Sequence, residues 1–166
     1  MTTEAQHQQH QQLTRQVLEA VRISREHVAA GGIPFSGIVV RHDGRILGTG
    51  FNRVREDRDA SAHAEVVALR NAAAKHGSFA AHGATLIASG EPCAMCYQVA
   101  LYFGVEHIVY AADRRTAAQY GFDYSSSYSI YRTDPTEWGV RTTHLPVEGH
   151  EVPFQEYLTR QGSARR

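Results

Sequence analysis

Two short runs of this chain carry side chains that can do chemistry together: His63-Ala64-Glu65 and Pro92-Cys93-Ala94-Met95-Cys96. One imidazole and two thiolates make a three-ligand set for zinc. Such a set leaves the fourth position open for water, which is the arrangement of a catalytic rather than a structural zinc. Glu65 lies two residues from His63 and can face the same pocket without ligating. A carboxylate there can take a proton from water, pass it to a ring nitrogen and then protonate a departing amine. That is the chemistry of hydrolytic deamination. Each motif alone is weak, since His-x-Glu is common on helix surfaces and Cys-x-x-Cys also serves redox dithiols and structural zinc knuckles. Cys93 and Cys96 are the only cysteines, so no second pair completes a four-ligand structural site. A redox dithiol leaves His63 and Glu65 unexplained.

These residues need elements to position them. Leu13, Val17, Leu18, Val21 and Val28 recur at helical spacing and predict a first helix ended by Gly31-Gly32. Strands are expected over Phe35–Arg41 and Arg45–Phe51, joined by the turn His42-Asp43-Gly44. Asn52 to Ala60 is polar and reads as a loop. A second helix is expected from Ala62 to His76, stopped by Gly77, and a buried strand over Thr85–Ala88. Cys93 to Phe103 has helical spacing behind Pro92, and His107–Ala112 reads as a further strand. Thr116–Tyr120 suits a short helix, Ser125–Ser129 a surface loop, Arg141–Val147 a last strand and Phe154–Arg160 a last helix. Alternating helices and strands predict an α/β fold with helices on both faces of a sheet. Both chemical runs then sit at helix N-termini, whose partial positive charge favours thiolate over thiol.

The 166 residues suit one domain over 13–166, preceded by a Gln- and His-rich tail over residues 1–12 that is expected to be disordered. Lys plus Arg equals Asp plus Glu at 17 each, which argues against a nucleic-acid partner, whose phosphates call for basic excess. No apolar run reaches membrane-spanning length and the N-terminus lacks a secretion signal. With the free cysteines, this predicts a soluble, cytoplasmic protein.

His63-Ala64-Glu65 followed by Pro92-Cys93-x-x-Cys96 resembles the signature of the cytidine deaminase superfamily of zinc deaminases. The resemblance runs from about residue 13 to about residue 160. It is most like bacterial guanine deaminases in Gly-Gly-Ile-Pro-Phe-Ser-Gly at 31–37, His63–Arg70, Glu91–Cys96, Tyr110-Ala111-Ala112 and Gly121-Phe122-Asp123. It implies a three-layer α/β/α fold around a five-stranded mixed sheet. It also implies a zinc ion and a free nucleobase substrate in purine metabolism, and a homodimer that exchanges its C-terminal segment. By the same resemblance Asn52 hydrogen-bonds the base, Phe35 packs near its ring and the Ala64 N–H holds a ring carbonyl. The plainer roles are a turn residue for Asn52 and a core aromatic for Phe35.

Two departures bear on the substrate. Where the bacterial guanine deaminases carry an acid directly after Gly-Phe-Asp, this chain has Tyr124, and where they have a Trp in the helix after the cysteines it has Tyr102. A tyrosine can stack and donate a hydrogen bond but cannot act as a carboxylate. Specificity is therefore expected to move toward isoguanine, cytosine or an aminotriazine, with guanine still open if Asp123 takes the acid's part. An exchanged C-terminal segment would bring Trp138 or Phe154 over a neighbour's pocket. Three rival functions are a cytosine deaminase, which shares Gly-Gly-Ile-Pro, a tRNA adenosine deaminase, and a non-catalytic zinc-binding module. The last predicts a lost proton carrier, whereas Glu65 is present.

Overall fold

The first helix, α1, spans Thr3–Ala29. It starts ten residues before the expected boundary, so residues 3–12 of the stretch read as a disordered tail form its first turns. Gln is a good helix former, and residue 4 and residues 6–12 are exposed, so no apolar stripe marks them. Leu13, Val17, Ala20 and Ile23 pack toward the sheet, whereas Leu18 and Val28 are exposed. In this computed structural model, residues 3–134, 137, 139, 143, 145, 146, 148, 151–153, 155 and 156 are described. Trp138 lies outside them, and the helix expected over Phe154–Arg160 and the strand expected over Arg141–Val147 fall mostly outside.

The chain divides into two units, residues 1–132 and 133–166. In the second, the Glu137 N–H donates to the Asp134 carbonyl and the Gln155 N–H to the Glu151 carbonyl. All elements named here belong to the first unit. No helix among the described residues is long and apolar enough to cross a membrane.

Strands β1 (Ser36–Val40) and β2 (Ile46–Phe51) form an antiparallel hairpin. Its turn places Gly44 at φ 86°, a conformation open to glycine, and the Asp43 carboxylate accepts from the Arg45 N–H. β1 also pairs antiparallel with β3 (Thr85–Gly90), and β3 pairs parallel with β4 (His107–Ala112). The mixed sheet runs β2-β1-β3-β4, four strands among the described residues against the five expected. The parallel pair needs a crossover, which α4 (Ala94–Tyr102) supplies.

Alternate residues of the central strands face opposite layers. Ile38, Val40 and Ile87 meet α1. Val39 and Leu86 meet Ala68, Leu69 and Ala72 of α3 (Ala64–His76) and Ala100 of α4. Three layers, α/β/α, result. On β2, Gly48 and Gly50 stand against Ala64, Ala68 and Ala72 of α3. A Cβ on Gly50 would lie 2.6 Å from the Ala64 carbonyl, and one on Gly48 2.6 Å from the Ala72 nitrogen. Small residues at i, i+4 and i+8 opposite glycines let helix and strand backbones touch, which sets the height of the α3 N-terminus above the sheet. The loop expected over 52–60 contains a one-turn helix, α2 (Val54–Asp57). Beyond β4 come α5 (Arg114–Gln119) and a 3-10 helix (Ser125–Arg132) where a surface loop was expected.

Candidate metal centre and cleft

His63 and Cys93 occupy equivalent places, the N-cap positions of α3 and α4. Both have extended backbones, and neither side chain caps its own helix. An N-cap side chain ordinarily accepts from the first turn, so these two are free to turn toward each other. His63 Nδ1 lies 3.6 Å from Cys93 Sγ and 3.5 Å from Cys96 Sγ, and the two sulfurs are 3.6 Å apart. With Zn–S near 2.3 Å and Zn–N near 2.0–2.1 Å, tetrahedral zinc needs nitrogen and sulfur about 3.6 Å apart and two sulfurs about 3.8 Å apart. The donor spacing fits that ion. Among the described residues, His63, Cys93 and Cys96 are the group able to hold a metal.

The electrostatics agree. Hydrogen bonding with Cys96 holds the Cys93 thiol down to about 4, which favours its thiolate. The Cys96 thiol is pushed up by its contact with Cys93 and by burial. His63 is raised, chiefly by its hydrogen bond with Cys93. In this cluster, where Cys96 is buried and His63 and Cys93 are half-buried, Cys93 disfavours ionisation of Cys96, and a dication would relieve that. Glu65 is 5% exposed; its Oε2 accepts from the Cys96 thiol at 3.4 Å, and burial raises its pKa.

A cleft of about 390 Å³ opens beside these donors. Of the residues singled out in the sequence, it is lined by Phe35, Asn52, His63, Ala64, Glu65, Cys93, Asp123 and Tyr124. Tyr102 is not brought there; it ends α4 and is 83% exposed. Asn52 is buried. Its Oδ1 accepts from the Val54 N–H, and its carbonyl accepts from His27 Nε2 at 3.0 Å. This leaves the Asn52 amide N–H groups without a protein acceptor among the described residues. The Ala64 N–H belongs to the first turn of α3, where helix N–H groups lack intrahelical partners. Phe35 is half-buried and meets Phe122 and Tyr124 edge-on, with ring centroids 5.2 and 6.4 Å away. Asp123 is exposed, and the Ser125 N–H holds its carboxyl below the usual range. Larger concavities elsewhere, of 680 Å³ beside Phe51 and Arg70 and 470 Å³ beside Gln12 and His107, do not contain the three donors.

Sequence reasoning gave no role to Glu91, which lines the cleft, or to its partner Arg114. Glu91, 4% exposed, pairs with Arg114 at 2.6 Å and accepts from the Arg114 N–H. The Tyr124 hydroxyl donates to the Glu91 carbonyl at 2.6 Å. An acid directly before Pro92-Cys93 was the available signal for Glu91, but its partner stands 23 residues away.

Comparison with known proteins accords with this geometry. A family model of the cytidine and deoxycytidylate deaminase zinc-binding region matches residues 7–112, which contain all three donors and Glu65. The guanine deaminase of Bacillus subtilis is 34% identical over 139 residues, covering 83% of this chain and 88% of that protein. Its crystal structure matches with a TM-score of 0.75 over 96% of this chain and 95% of that one, at 32% identity. The tRNA-specific adenosine deaminase of Haemophilus influenzae is 33% identical over 123 residues, 73% of this chain and 71% of that protein. The tRNA(Ile)-lysidine synthase of Deinococcus deserti is 42% identical over 103 residues, 62% of this chain, but the chain spans only 19% of that protein's length. The chain belongs to the cytidine and deoxycytidylate deaminase family of zinc-binding proteins.

Proposed function

We propose that this chain hydrolytically deaminates a free nucleobase or a related amino-heterocycle, with His63, Cys93 and Cys96 as zinc ligands and Glu65 as the proton carrier. The observation that carries this reading is a buried carboxyl in contact with the ligand set, in a cleft that also presents Asn52 and the Ala64 N–H. Zinc at these donors supplies the Lewis acidity that makes water a nucleophile at neutral pH. Glu65 accepts a proton from the attacking water and gives it to the ring nitrogen beside the amino-bearing carbon. It then moves the second proton to the amine. A C–O bond forms, the exocyclic C–N bond breaks and ammonia leaves. A carboxyl whose pKa burial has raised serves both as acceptor and as donor nearer neutral pH than an exposed one.

Three features support a free base. The cleft's 390 Å³ is at the small end of small-molecule sites, which run from about 300 to about 1,000 Å³. The guanine deaminase similarity extends over most of both chains. The balanced charge of 17 against 17 provides no basic excess for phosphates. Because the Tyr124 hydroxyl is engaged by the Glu91 carbonyl, Tyr124 offers the substrate its ring. The polar group left on that wall is Asp123. This favours isoguanine, cytosine or an aminotriazine beside guanine. A tRNA substrate is the second reading, favoured by the similarity to the Haemophilus enzyme.

Glu65→Gln tests the mechanism. The amide keeps the shape of the side chain but cannot carry the proton. The variant is expected to keep about one zinc per chain and to lose ammonia release by about 10²–10⁴-fold. Wild-type release from the zinc-loaded variant would show that Glu65 is not the proton carrier.

A further inference from the structure

The 3-10 helix Ser125–Arg132 has no part in the mechanism above, yet it touches the backbone on both sides of Cys93. The Tyr128 hydroxyl donates to the Pro92 carbonyl, and the Tyr131 hydroxyl donates to the Ala94 carbonyl. The Ala94 N–H, in the first turn of α4, donates to Ser127 Oγ at 3.2 Å. Cys93 occupies the N-cap but does not cap, so Ser127 supplies from another element the acceptor that a Ser or Asp N-cap would have provided. Tyr128 is itself held in place, with the Arg114 guanidinium 4.0 Å from its ring centroid and that same guanidinium paired to Glu91. One segment thus grips residues 92 and 94 through three hydrogen bonds. Pro92 is fully buried, so its carbonyl would be costly to leave without a donor.

We infer that Tyr128 and Tyr131, aided by Ser127, are positioning residues that hold the backbone around Cys93 so that its thiolate meets His63 and Cys96 at ligand spacing. The inference rests on the zinc reading above. The rigid tyrosine ring suits this task, because it sets its hydroxyl at a fixed reach from the 3-10 backbone. Partners that orient metal ligands commonly alter metal affinity about 10–100-fold when removed.

The test is the rate at which the zinc-loaded protein yields its metal to excess 4-(2-pyridylazo)resorcinol, followed by absorbance. Wild type is compared with Tyr128→Phe, Tyr131→Phe, the double variant and Tyr120→Phe, a control at an exposed ring outside the cluster. Tyr128→Phe is expected to release zinc about 10-fold faster and the double variant faster still, with Tyr131→Phe smaller because its ring is half exposed. Tyr120→Phe should match wild type. Should Tyr128→Phe fail to fold, Tyr131→Phe and Ser127→Ala carry the same measurement. A double variant that releases zinc at the wild-type rate overturns the inference, including when its metal-free form melts earlier, since that is a purely structural role. Wild-type protein that binds no zinc overturns the zinc reading itself, which separates the two failures.

Discussion

Gly50→Ala places one methyl group between β2 and α3 and reports on how the fold aims the ligands. The added carbon would stand 2.5 Å from the Ala68 nitrogen and 2.6 Å from the Ala64 carbonyl. Ordinary contact begins near 3.4 Å, so helix and strand must part by about 0.8 Å, and both obstacles are backbone. Such overpacking costs about 1–3 kcal/mol, which for a chain of this size lowers Tm by roughly 3–10 °C. The useful control is Gly48→Ala, where the contacts are as close, 2.5 Å to the Ala68 carbonyl and 2.6 Å to the Ala72 nitrogen. Its stability cost should therefore be similar. The two differ in where they push. Gly50 presses on Ala64, between His63 and Glu65, whereas Gly48 presses as far along as Ala72, about 12 Å further up the helix. A misplacement near 1 Å at reacting groups costs about 10²-fold. With zinc-loaded protein and rates corrected for folded fraction, Gly50→Ala is expected to lose about 30–100-fold in kcat/KM and Gly48→Ala less than about threefold. Equal losses would mean that α3 moves as a rigid rod and that β2 does not aim its N-terminus locally. Wild-type stability in both would mean that the close approach itself is wrong.

Two further substitutions probe the cleft. Asn52→Ala removes amide N–H groups that have no acceptor among the described residues; KM should rise and kcat/KM fall by about 10-fold with zinc content unchanged, and unaltered steady-state kinetics would remove Asn52 from base recognition. For Glu65 the pH dependence of stability is diagnostic in metal-free protein. Its pKa is raised in the folded state, so its contribution is fully present below the unfolded value near 4.5 and is lost as pH rises through the folded value. Glu65→Gln abolishes that loss. The melting temperature of the variant relative to wild type should therefore climb from about pH 4 toward neutrality, and a flat difference would contradict a raised Glu65.

Much of the scaffold was legible because it rests on local signals. β4 has the bounds expected from its β-branched run, His107–Ala112. The Asp43-Gly44 turn marks the hairpin, and Gly77 ends α3 where expected. The three donors were legible because zinc chemistry restricts residue type and spacing together. Long-range satisfaction of polar groups was not. Tyr128 reads as a surface residue of the Ser/Tyr-rich loop over Ser125–Ser129 and Tyr131 lies beyond it with no role read, yet their partners are main-chain carbonyls 36 and 37 residues earlier, and a backbone acceptor has no sequence signature. Tyr124 was read as able to stack or to donate a hydrogen bond, and its hydroxyl donates to the Glu91 carbonyl, a main-chain partner that residue type does not reveal. Tyr102 was placed by alignment to a family position, which carries no information about the side on which α4 exposes it. Residue 4 and residues 6–12 are exposed and need no apolar period, so helix propensity alone had to speak for them.

Ammonia release by the zinc-loaded wild-type chain, measured across free guanine, isoguanine, cytosine, adenine and aminotriazines, the corresponding nucleosides, and tRNA, tests the proposed function most directly. Turnover of at least one free base, with none of the nucleosides or tRNA turned over, is the expected result. Turnover confined to nucleosides or tRNA, or no release from any of them at one zinc per chain, would contradict a free-base deaminase.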